Sequence, residues 1–165
     1  MEKLSRGIQK VIDYNLVQTF GNYVDVDQDQ DKYCVLGGCA LATGYINDIN
    51  LKAISGLNYQ MNYEGTNLTS GFGVAGLLRS SYFNFILTGD SFDLLLEHFT
   101  KHPTNKVTKT LFTDMCNFFD SDANSIITEF DLIDFAMFLN DFYHKSFEQI
   151  LEIVKWCEDN LSYYQ

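Results

Sequence analysis

Asp120-Ser121-Asp122-Ala123-Asn124-Ser125-Ile126-Ile127-Thr128-Glu129-Phe130-Asp131 is the stretch whose reading decides this chain. Ahead of it, Phe112, Met115, Cys116 and Phe119 precede Asp120 by eight, five, four and one residues. Behind it, Leu132, Phe135, Ala136 and Leu139 follow Asp131 at one, four, five and eight. Spacings of three and four put each set on one face of a helix. The mirrored order turns both faces to the same side, so the segment reads as helix, acidic loop, helix.

The same reading extends outward. Ser146 and Gln149 form a capping box that opens a last helix with Phe147, Ile150, Leu151, Val154 and Cys157 on its core face. Upstream, Leu4, Ile8, Val11, Ile12 and Leu16 stripe a helix over 2–19, which Gly21 ends. Residues 34–44 are dense in small side chains and predict a short buried helix crossed closely by a neighbour. Asn47 caps a helix through Ile54, residues 57–73 form the longest loop, and 74–87 resumes an apolar helix. Asp90 or Ser91 starts another, with Phe92, Leu95, Leu96 and Phe99 inward and Pro103 beyond its end. The expectation is a compact all-α single domain over 1–165, with about six or seven helices.

Composition narrows the function classes. With 46% hydrophobic and 15% aromatic residues the chain has ample surface to bury. Its net charge of −11 is the wrong sign for direct nucleic-acid binding or for anionic membranes. No run of 18 apolar residues occurs, and Met1 leads into a charged amphipathic segment, so a cytoplasmic setting is expected. There Cys34, Cys39, Cys116 and Cys157 are free thiols. Gly37-Gly38 lacks the Lys-Ser/Thr of a phosphate loop. His98 and His102 have zinc-compatible spacing but no third ligand, and they suit a helix C-terminus. No catalytic constellation emerges, and the reading is non-enzymatic.

The loop itself spaces its oxygens for a hard cation. Asp120, Asp122 and Asn124 stand at positions 1, 3 and 5, the Ile126 carbonyl at 7, Thr128 or a water at 9, and Asp131 at 12. With Ile127 as the hydrophobe at position 8, residues 112–139 resemble a single EF-hand, which implies Ca²⁺ or Mg²⁺ as ligand. Ser125 replaces the usual turn glycine and Asp131 the usual glutamate, which favours weaker calcium binding or magnesium. The competing account is a plain helix connector, with Thr128 and Asp131 as caps. Cys34, Gly37, Ala42 and the Asn140-Asp141 pair ahead of the capped last helix also resemble an uncharacterised family of small bacterial and phage proteins. That resemblance implies no activity.

Two functions follow as expectations. The first is an acidic interaction protein, in one version phage-borne, that binds a basic protein partner. It would do so as a nucleic-acid mimic or counter-defence inhibitor in a basic groove. Its patch would combine Asp25, Asp27, Asp29 and Asp31 of an early loop with Glu148, Glu152 and Asp159 on one side of the last helix, which also carries Glu158. The second is a calcium or magnesium binder using loop 120–131.

Overall fold

A computed structural model describes residues 2–26, 29–44, 46–48, 51, 62–63, 68–119 and 129–162. Among them are seven helices: α1 (Leu4–Asp13), α2 (Val35–Thr43), α3 (Ser70–Ser81), α4 (Gly89–Phe99), α5 (Leu111–Phe119), α6 (Leu132–Asp141) and α7 (Phe147–Asn160). The molecule is mainly helical and not purely all-α. Two-residue strands tie distant loops together. β1 (Glu2–Lys3) pairs in parallel with β7 (Tyr82–Phe83), and β8 (Ile86–Leu87) runs antiparallel to β9 (Phe130–Asp131). In a three-stranded sheet β4 (Lys32–Tyr33) lies between β2 (Val17–Gln18) and β3 (Val24–Asp25). β5 (Asn62–Tyr63) pairs with β6 (Leu68–Thr69).

These pairings correct several expected boundaries. The first helix ends at Asp13, because Asn15 turns the chain with a positive φ of 56° and Val17–Gln18 pair with Lys32–Tyr33. The helix expected over 74–87 runs instead from Ser70 to Ser81. Its last residues leave the helix to pair with the N-terminal strand, and Asn84 Oδ1 accepts the backbone N–H of Ile133. The helix before the acidic loop runs from Leu111 to Phe119. Asn105 is turned inward, where its amide donates to the Gln149 carbonyl and to Glu152. Thr88, not Asp90 or Ser91, is the N-cap of α4, and Ser91 closes the capping box from N3. Of the helix expected over 47–54, the described residues show one turn, the Leu51 N–H on the Asn47 carbonyl.

Other readings hold. Ser146 and Gln149 make the capping box of α7, and Cys34 with Gly44 bounds the buried α2. The small residues there serve close approach. A Cβ at Gly37 would be driven into the Tyr23 carbonyl, and one at Gly38 would press on Val11 at 3.0 Å. α1 thereby lies against α2, and α7 packs on α1 as well. Leu4, Ile8, Leu36, Leu78, Phe92, Phe99, Phe135 and Phe138 fill the core. All four cysteines are thiols outside any disulfide. No helix among the described residues is long and apolar enough to cross a membrane.

Candidate functional site

α4 and α7 meet through His98 and Trp156, which the sequence did not mark as a site, and through Glu152 of the expected acidic patch. His98 stacks on Trp156, with ring centroids 5.3 Å apart and planes 20° from parallel. Both rings stand edge-on to buried Phe99, which fixes them from beneath. Just past the end of α4, His102 meets Glu152, one turn back along α7, so the chain here runs antiparallel to α7. Leu94, Glu97, His98, Lys101, Trp156 and Asn160 line the resulting groove of about 400 Å³. Phe92, Leu95 and Phe99 hold one face of α4 in the core, which leaves Leu94, Glu97 and His98 on the outer side. On α7, burial of Ile150, Ile153, Val154 and Cys157 likewise places Trp156 at the edge.

Acids flank this groove on both helices. Asp90, Asp93 and Glu97 of α4 are exposed, as are Glu148, Glu152 and Asp159 of α7. Against these six carboxylates stand the exposed Lys101 and Lys155. Glu152 accepts the Asn105 side-chain amide at 2.7 Å, and that bond first, with His102 behind it, holds its carboxyl below the usual range. His102 is a structural element. Its Nδ1 accepts the N–H groups of Thr104 and Asn105 at 3.1 and 2.8 Å, so Nε2 carries the proton and faces Glu152. An imidazole engaged at both nitrogens has no free base to offer a substrate.

The acids of the expected patch differ in where the structure places them. Glu148, Glu152 and Asp159 share the outer face of α7. Glu158, another acid of the same helix, is buried and accepts the Ser5 N–H at 3.2 Å, at the N-terminus of α1. Of the early acids, Asp25 is turned into Thr19 and Asn22, Asp29 is exposed, Asp31 is half-buried, and Asp27 lies outside the described residues. The segment holding Asp25 is anchored on the end of α6, through Gln18 to Asn140 and the Gly21 N–H to Asp141. α4 carries three exposed acids that the expected patch did not include. The signal for them lay in the sequence, because Asp90, Asp93 and Glu97 recur at three and four, opposite the Phe92–Phe99 stripe.

Asp120, Asp122, Asn124, Ile126 and Thr128 lie outside the described residues. Asp131 is described, and both of its oxygens are engaged. Oδ1 accepts the Asp134 N–H at 2.7 Å as the N-cap of α6, and Oδ2 takes Arg79 Nε at 2.6 Å. Arg79 also reaches Asp134 at 2.8 Å. Burial and the neighbouring Asp131 push the Asp134 carboxyl up to about 6, against the pull of the single guanidinium that the two acids share. Burial opposes the charge on Arg79, yet the bond and charge of Asp131, then Asp134, leave its pKa raised.

Cys34, Cys39 and Cys157 are buried thiols poorly suited to act as nucleophiles. Burial pushes the Cys34 thiol up to about 12 and those of Cys39 and Cys157 higher still. Among the described residues no group of three His, Cys, Asp or Glu side chains could hold a metal. Comparison with protein-family models, with curated proteins and with solved structures finds no match for this chain, so the site is read on its own geometry.

Proposed function

We propose that this is a non-enzymatic, acidic interaction protein that binds a basic protein partner through the groove between α4 and α7. The observation that carries this reading is the pairing of an aromatic floor, His98 and Trp156, with exposed carboxylates on both bordering helices. Aromatic anchors inside a charged rim are the usual anatomy of a recognition surface. The net charge of −11 supports the same sign of partner, because it draws cations to the surface at long range. The test is a titration with a short basic peptide at rising salt. Binding should weaken steeply toward physiological ionic strength, where screening acts within about 8 Å. Neutralising Asp90, Glu97, Glu148 and Asp159 together as amides should abolish it. Binding indifferent to salt or to those substitutions overturns the proposal.

A second reading, a calcium or magnesium binder using loop 120–131, is supported by the convergence of its flanks. Phe119 and Phe130 lie 5.6 Å apart, and α5 and α6 bracket the segment as an EF-hand-like frame requires. It asks Asp131 to give up Arg79 for a cation. Arg79→Ala should then strengthen the stabilisation of the chain by Ca²⁺ or Mg²⁺. Melting curves that are identical with metal and with chelator, in both proteins, overturn it.

A further inference from the structure

The floor of the groove says more about its partner than the charge does. An exposed carboxylate attracts lysine and arginine alike. An exposed aromatic face discriminates between them. Arginine presents a flat, weakly hydrated guanidinium that stacks on rings while its edge bonds carboxylates, whereas the ammonium of lysine is a compact, strongly hydrated point charge.

Here the aromatic surface is built and held. Trp156 and His98 are stacked on one another, and both are braced by Phe99, with centroids 5.8 and 4.7 Å away at 79° and 82°. His98 is exposed and Trp156 half-buried, so the pair is reached from solvent through the groove. Leu94, 40% exposed, adds apolar wall, and Glu97 stands on the same rim. Lys101 closes the groove at the C-terminal end of α4 and repels a cation there, which leaves the Leu94–Glu97 side for one. A space of about 400 Å³ lies at the small end of ligand pockets and suits side chains, not a folded element.

We propose that the groove selects arginine: a guanidinium of the basic partner stacks on the His98–Trp156 pair and bonds Glu97 at its edge. This rests on the partner-binding reading above and names the side chain that the reading leaves open. Recognition then has two separable parts. The acid ridges supply attraction to any cationic segment, and the stacked rings supply the preference.

Trp156 is the chain's single tryptophan, so its emission reports this site alone. The experiment titrates the full chain with two fluorescently labelled peptides of equal length and charge, one carrying arginine and one lysine. Peptide anisotropy and tryptophan emission are followed together. Both peptides should bind at low salt, the arginine peptide at least tenfold more tightly, and it alone should change the emission markedly. Trp156→Leu should bring the two affinities within about twofold while the lysine peptide is unaffected. His98→Ala, at an exposed position that leaves the core alone, should reduce the preference in the same direction. Equal affinities in the unsubstituted chain, or a preference that survives both substitutions, would overturn the arginine inference and leave the acidic-groove reading standing. Failure of both peptides to bind would overturn the reading itself.

Discussion

Replacing Asn140 with leucine should be among the costliest single changes of similar size in this chain. Asn140 is fully buried, and its amide makes four hydrogen bonds. Oδ1 accepts from Gln18 Nε2 at 2.8 Å and from the Val35 N–H at 3.1 Å. Nδ2 donates to the Thr19 carbonyl at 3.0 Å and to Asp141 Oδ1 at 2.7 Å. One side chain thus joins the end of α6, the start of α2 and strand β2. Leucine keeps the volume and loses every bond, leaving the Val35 N–H and the Thr19 carbonyl buried without a partner. Each such group costs about 1–3 kcal/mol, so a loss of about 3–5 kcal/mol is expected. That is a large part of the ~5–15 kcal/mol typical of a domain. In urea, with a slope of about 2 kcal/mol per molar, the midpoint should fall by roughly 2 M at an unchanged slope. Asn140→Asp should be no milder at neutral pH, because it sets a carboxylate against the Thr19 carbonyl and Asp141. A midpoint shift below about 0.5 M for the leucine variant would refute the account of this residue as a hub.

Arg79→Ala should destabilise the chain by roughly 3 kcal/mol near pH 7, because it leaves the partly buried Asp131 and Asp134 facing each other without their cation. The unsubstituted chain should lose stability as pH rises from about 4 through about 6, since the folded state holds the Asp134 proton more tightly than the unfolded chain does. Asp134→Asn should flatten that slope in thermal melts, and a slope that persists refutes the assignment. Gly37→Ala should cost at least about 1–3 kcal/mol, because its methyl collides with the Tyr23 backbone and not with a side chain that can swing away. A near-neutral result in urea would show that α2 can shift.

Elements with strong local chemistry were legible in the sequence. Ser146 and Gln149 cap α7, Cys34 and Gly44 bound α2, and the glycines of α2 lie where backbones approach, because caps and steric limits act within a few residues. The apolar stripe after the acidic loop likewise falls on the buried face of α6, whereas of the stripe before it only Met115 is buried and Phe112, Cys116 and Phe119 are half-buried against the core. Tertiary structure decided the rest. Two-residue strands have too little pattern to be read, and Tyr82–Phe83 became strand only because Glu2–Lys3 arrived beside them. Charge shows the same divide. The sequence places Glu158 four residues after Val154, at the edge of the inward stripe, but only packing set the start of α1 against it. Packing also set α4 and its acids against α7, around a tryptophan that no local pattern marked. A helix fixes the direction of each of its own side chains, while which neighbour they meet depends on contacts across the whole fold.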